Sequence, residues 1–153
     1  MTGSVSSTKF AEKTFTIEAT QEAVWHLIGG VILQSMPGME RIEVIDENNF
    51  TAVLKVKVSF IVVNMYLIGE FVDLTPPKYL GVRLKGKSLG GMLQLNQMVS
   101  IALATVDEGK TEVVCKATME GVGTLMRMFL LWQARRTAGD IFKGIETRLK
   151  QLV

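Results

Sequence analysis

Residues 55–71 read KVKVSFIVVNMYLIGEF, and the pattern changes midway. Lys55, Val56, Lys57 and Val58 alternate, as a strand with one wet and one buried face does. From Phe60 to Ile68 only Asn64 is polar. The stretch therefore reads as two strands with a break near Ser59. Parity turns Leu54, Val56, Val58, Val63, Met65 and Leu67 to one face, and Lys55, Lys57, Val62, Asn64, Tyr66 and Ile68 to the other.

Working outward, the same alternation recurs with turn chemistry between the runs. RIEVI (41–45) leads through DENN to FTAVLKVKV (50–58), and IVVNMYLIGEFVDL (61–74) stops at Thr75-Pro76-Pro77. KYLGVRLKGK (78–87) turns Leu80, Val82 and Leu84 inward and Gly81, Arg83 and Lys85 outward. Beyond SLGG, a strand ending near Val106 carries Gln97, Val99, Ile101 and Leu103 inward. The tight turn DEGK opens TEVVCKATME (111–120), with Val113, Cys115, Ala117 and Met119 inward. Upstream, KFAEKTFTIE (9–18) is a strand, and Thr20 offers an N-cap for a short helix, VWHLI, stopped by Gly29-Gly30. A second short helical piece, VILQS, runs into Pro37-Gly38. Downstream, Thr124 caps a long helix reaching Val153. Successive strands without helices between them form an antiparallel meander. The expected fold is α+β: a curved antiparallel sheet of six to seven strands gripping a long C-terminal helix, with two short helices after the first strand. Residues 1–8 read as a flexible leader and 9–153 as a single domain.

Composition bounds the function. With 48% hydrophobic residues in 153 the chain is globular rather than disordered. No apolar run approaches the ~20 residues of a membrane-spanning helix, and the N-terminus lacks a signal pattern, so a cytoplasmic protein is expected. A net charge of +2 is too balanced to argue for nucleic acid. The single Cys115 excludes an internal disulfide and a multi-cysteine metal site. His26, the only histidine, has no nucleophile or orienting carboxylate at a triad-like spacing. One histidine, one cysteine and scattered carboxylates supply no metal ligand set. The glycine pairs lack a phosphate-loop context. Glu40, Glu43, Asp46, Glu47, Glu70, Asp73 and Glu120 fall mostly in turns or on outward positions. No catalytic residue, metal or cofactor is expected.

Several strings resemble the carbon monoxide dehydrogenase G-subunit family, within the START-like, polyketide-cyclase-like superfamily with the helix-grip fold. They are FTIEATQEAVWHLI (15–28), SMPGMERIE (35–43), FTAVLKVKV (50–58), GEFVDLTPPKYL (69–80) and the late GG and GVGTL. All are fold landmarks rather than catalytic motifs. The resemblance implies a small intracellular protein with an elongated apolar cavity, associated with molybdenum hydroxylases of the carbon monoxide dehydrogenase type. Roles implied are maturation, membrane recruitment or handling of a lipophilic carrier such as a quinone. Here Ser35 and Met39 stand where relatives often have cysteine, and the chain stops at the end of the helix without the apolar tail of some relatives. Membrane contact is expected to be peripheral at most.

The candidate ligand-binding residues are Trp25, Met36, Leu54, Val56, Met65, Leu67, Leu84, Gln97, Val99, Cys115, Met119, Leu125, Phe129 and Trp132. Gln97 is the one polar side chain among them, placed to orient a carbonyl or hydroxyl of an apolar guest. Nine methionines supply flexible thioethers that repack around guests of different shape. The competing reading is that these residues simply fill a core. On the other face, Val62, Tyr66 and Ile68 form an apolar stripe with Lys55, Lys57, Arg83 and Lys85 around it. Basic stems cover that stripe, or it meets a partner, a second copy or an anionic membrane surface. Three readings follow: a non-enzymatic carrier or accessory protein, an interaction or assembly module with a filled core, and a polyketide-cyclase-like enzyme.

Overall fold

The computed structural model describes residues 7–35, 39–58, 60–88, 93–120 and 124–153. Its elements follow the order β1 (Ser7–Ile17), α1 (Gln21–Gln34), β2 (Met39–Val44), β3 (Asn49–Val58), β4 (Ile61–Thr75), β5 (Tyr79–Ser88), β6 (Leu93–Asp107), β7 (Lys110–Glu120) and α2 (Thr124–Leu152). The seven strands make one antiparallel sheet, ordered β1-β7-β6-β5-β4-β3-β2. The meander from β2 to β7 is the expected one, and β1 closes it by pairing along β7. Asp46 sets the β2–β3 turn by accepting hydrogen bonds from the Asn48 backbone N–H at 2.8 Å and the Asn49 amide at 2.9 Å. Gly109, at φ 67°, supplies the left-handed residue of the β6–β7 turn.

Two boundaries differ from expectation. β1 begins at Ser7, so Ser7 and Thr8 of the expected leader pair with Glu120 and Met119 in the sheet, and residues 1–6 lie outside those described. The two expected short helices are one continuous helix, α1, which runs through Gly29 and Gly30. Thr20 caps it, its hydroxyl oxygen accepting from the Ala23 N–H at 3.2 Å. Val24, Ile28 and Val31 are buried on one face at helical spacing, while both glycines are exposed with open space around them. Burial of that face carries the helix through residues that each cost about 1 kcal/mol relative to alanine. At its end the Ser35 hydroxyl donates to the Val31 carbonyl at 2.7 Å.

The main core lies between the sheet, α1 and the C-terminal half of α2. Ala138, Phe142, Ile145 and Leu149 of α2 pack with Phe15 and Ile17 of β1, Val24, Ile28 and Val31 of α1, and Val113, Cys115 and Ala117 of β7. The sheet's concave face carries this core, as period-two alternation requires. At the β1 edge an ion pair joins helix to sheet, Lys13 Nζ lying 3.2 Å from Glu146 Oε1, with Lys150 Nζ 2.7 Å from the other carboxylate oxygen.

Candidate functional site

The strand registers bring the inward candidates onto one concave surface. Leu54 sits opposite Met65, Leu67 opposite Gly86, Leu84 opposite Gln97, and Gln97 opposite Met119. Val99 lies between Val82 and Ala117 in the same way. Met65, Leu67, Leu84, Cys115 and Met119 are buried, whereas Leu54, Gln97 and Val99 keep part of their surface exposed. Among the described residues the apolar side chains fall into two clusters. Ala52, Met65 and Leu67, with Ile42 and Leu54 against them, stand apart from the main core that includes Leu84, Met119 and, at its margin, Val99.

Between the two clusters lies Gly86, whose missing side chain leaves room for Met65. A Cβ there would stand 2.9 Å from the Met65 sulfur and 3.0 Å from Leu67 Cδ2. The inward series Leu80, Val82, Leu84 continues to this glycine, a signal in the sequence that the expected residues do not include. Gln97 borders the same region. Its amide can donate and accept, so it can orient one polar group of an otherwise apolar guest.

The remaining candidates divide. Trp25 is half-buried on α1 and packs against the main core. Cys115 is fully buried in that core, opposite Lys13, and burial pushes its thiol up to about 12. It is therefore a neutral space-filling group at physiological pH. Val56 holds the register position opposite Val63, but its side chain, Met36, and the side chains of Leu125, Phe129 and Trp132 lie outside those described.

Acid-base and metal chemistry find no constellation among the described residues. His26, Glu40, Glu43, Asp46, Glu47, Glu70 and Asp73 are all exposed, and Glu120's side chain is not described. No group of three metal-ligating side chains occurs among the described residues. None of their helices is long and apolar enough to cross a membrane.

The convex face resolves one expectation. Val62, Tyr66 and Ile68 are 61%, 60% and 57% exposed, so basic stems do not cover them. Register places Lys57 opposite Val62, Lys85 opposite Ile68 and Lys87 opposite Tyr66. Lys55 pairs with Glu40 at 3.0 Å and Arg83 with Glu70 at 3.3 Å.

The family of the carbon monoxide dehydrogenase G-subunit (CoxG) matches residues 14–150. No curated protein matches the chain by sequence. A conserved protein from Geobacillus kaustophilus superposes with TM-score 0.74 at 20% identity, covering 92% of this chain and 94% of that one. A START superfamily protein from Mycobacterium smegmatis gives 0.67 at 13%, covering 94% and 98%. The Zhui aromatase/cyclase from Streptomyces sp. R1128 gives 0.66 at 13%, covering 95% of each. Likeness at these identities shows a shared START-like fold.

Proposed function

From the membership of this chain in the carbon monoxide dehydrogenase G-subunit (CoxG) family, which the match over residues 14–150 shows, we propose that it is a non-enzymatic carrier or accessory protein for a lipophilic small molecule. The guest is quinone-like, the site is the concave face between the two apolar clusters, and the protein served is a cytoplasmic carbon monoxide dehydrogenase-type molybdenum hydroxylase. One observation supports this reading: among the described residues the inward apolar side chains fall into two clusters, with a glycine and one amide beside them. Burying about 300 Å² of an isoprenoid-like guest is worth at most ~7 kcal/mol, less the cost of immobilising it. That ceiling corresponds to a Kd of about 10 μM, so tighter binding needs more buried area or a polar contact such as Gln97.

Native mass spectrometry and solvent extraction of protein purified from its own cells test the carrier reading, with titration of added quinones as the second arm. A guest of quinone-like mass is expected. Met65→Trp with Leu84→Trp should abolish binding while the fold persists. Protein that is consistently empty and fails to bind quinones or fatty acids overturns the reading. The exposed apolar stripe favours a second reading, an interaction module, for which the stripe rather than the concave face is the working surface.

A further inference from the structure

The two edges of the sheet are finished differently. β1 has α2 against it, and the Lys13–Glu146 ion pair ties the two together. β2 ends the strand order on the other side, and no described residue pairs along its outer side. Register and one hydrogen bond fix which backbone groups this leaves open. Arg41, Ile42, Glu43 and Val44 stand opposite Val53, Ala52, Thr51 and Phe50, and just beyond them the Ile45 N–H donates to the Asn49 carbonyl at 3.0 Å. Hydrogen-bonded and non-hydrogen-bonded pairs alternate along an antiparallel ladder. The backbone groups of Arg41 and Glu43 therefore turn toward β3, and those of Ile42 and Val44 point away from the sheet. Val44 is 72% exposed and Ile45 61%. An open row of backbone donors and acceptors is a template for another strand.

The side chains of β2 select the strand that fits. When two copies of one strand pair antiparallel with their concave faces on the same side, the two-fold axis passes through a residue. An axis through Ile42 sets Arg41 opposite Glu43 of the partner subunit, and Glu43 opposite Arg41 of the partner subunit. Both pairs are of the non-hydrogen-bonded kind, whose side chains lie closer together. Arg41 and Glu43 are exposed, and neither makes an ion pair within one copy among the described residues. On the concave side Ile42, which packs on the cluster of Ala52, Met65 and Leu67, comes beside Ile42 of the partner subunit, with Val44 diagonal to it. Moving the axis by one residue sets Glu43 against Glu43 or Arg41 against Arg41, and like charges directly opposite are destabilising. The bulge between Met39 and Arg41 keeps the ladder short. Its area falls below the ~800 Å² per partner of a standard interface, so the pairing is weak and concentration-dependent.

We propose that two copies of this chain join edge to edge through β2, antiparallel and centred on Ile42, so that two seven-stranded sheets continue as one. The Ile42 N–H donates to the carbonyl of Ile42 of the partner subunit and the reverse bond completes the pair, while the Arg41 and Glu43 charges fix the register. The pairing does not depend on a guest on the concave face, and it uses a different surface from the convex stripe of Val62, Tyr66 and Ile68.

Sedimentation of the full chain at low salt, from about 10 μM to about 1 mM, tests it over the range of a weak interface. The wild-type protein should pass from monomer toward dimer. Arg41→Glu and Glu43→Arg each leave only like charges facing across the axis, and each should weaken dimerisation about tenfold or more. Arg41→Glu with Glu43→Arg in one chain restores the opposite pairs and should dimerise as the wild type does. An equal mixture of the two single variants should form a heterodimer for the same reason. In dilute protein all these variants should keep the wild-type melting temperature, because both side chains are exposed. Amide hydrogen exchange reads the backbone: the Ile42 and Val44 N–H groups should exchange freely in dilute protein and become protected in concentrated protein, with Glu43 N–H protected in both. A wild-type chain that stays monomeric to about 1 mM overturns the proposal. Single variants that dimerise as well as the wild type overturn it too, as does a double variant that fails to recover. A dimer that Tyr66→Glu with Ile68→Glu dissociates and Arg41→Glu leaves intact belongs to the convex stripe, and also overturns it.

Discussion

The concave face of the sheet has two halves that look alike strand by strand and behave differently. Phe15 and Ile17 of β1, Ile101 and Leu103 of β6 and Val113, Cys115 and Ala117 of β7 cluster with Phe142, Ile145 and Leu149 of α2 and Val24, Ile28 and Val31 of α1, and they are buried. Along β3 and β4 the inward residues form the small cluster of Ala52, Met65 and Leu67, with Leu54 half-exposed beside it. Alternation is equally regular in both halves, and among the described residues it is the C-terminal half of α2 that packs on the first of them. The convex face repeats the contrast. Lys116, on β7, lies near Glu12 of β1 at 3.9 Å, whereas β4 presents bare Val62, Tyr66 and Ile68.

Truncation on each side gives the largest expected difference. Phe142→Ala should lower the unfolding free energy by about 3–5 kcal/mol, and Met65→Ala by about 2, the lower end of the range for a buried large-to-small change. Urea denaturation measures both. Equal losses would mean that the β3–β4 half is packed as tightly as the rest, and the distinction would fail.

Two glycines sharpen the same contrast at smaller cost. The Phe50 ring lies directly over Gly69 and also packs on Phe71, with ring centroids 5.7 Å apart. Gly69→Ala must displace that ring, at about 1–3 kcal/mol. Gly86→Ala meets instead the Met65 sulfur, 2.9 Å from the new Cβ, and a thioether can swing aside. Its stability cost should stay below about 1 kcal/mol, while binding of a guest beside Met65 weakens. If Gly86→Ala proves as costly as Gly69→Ala, Met65 is locked and no adaptable space lies there.

Substitution on α1 should have the opposite sign. Gly29 and Gly30 are helical, exposed and open to a methyl group. Alanine at either should raise the melting temperature, corresponding to about 0.5–1 kcal/mol each. A loss of stability at both would show that the helix needs to bend there.

The strand run was readable because period-two alternation and turn residues agree at every hairpin, and the outward set of Val62, Tyr66 and Ile68 followed from parity alone. Gly29-Gly30 misled because propensity is local, whereas the burial of Val24, Ile28 and Val31 that carries α1 through them is tertiary. The division of the concave face was hidden for a related reason. Cys115 and Met65 both point inward from their strands, and only the fold shows that, among the described residues, the first clusters with α2 and the second with Ala52 and Leu67. The ion pair of Lys13 with Glu146 joins residues from opposite ends of the chain, so no spacing announces it.

That ion pair marks the sealed half and supplies the smallest effect. The hydrogen bond from Lys150 holds the Glu146 carboxyl below its ordinary range; burial opposes this, and Lys13 reinforces it. A carboxyl whose pKa is lower in the folded than in the unfolded chain binds fewer protons when folded. Its contribution is therefore complete above the ordinary glutamate pKa, about 4.3, and is lost as pH falls through the lower folded value. Solvent reaches both lysines, whose side chains are 38% and 55% exposed, so the total is no more than about 1 kcal/mol. Comparing wild type with Glu146→Gln cancels Glu12 and Asp46, whose carboxyls are also lowered by local hydrogen bonds. The stability difference should be constant above about pH 5 and shrink toward zero in stronger acid, and added salt should reduce it at neutral pH. A difference that persists unchanged into strong acid would mean that Glu146 acts through packing of its stem on β1 rather than through its charge.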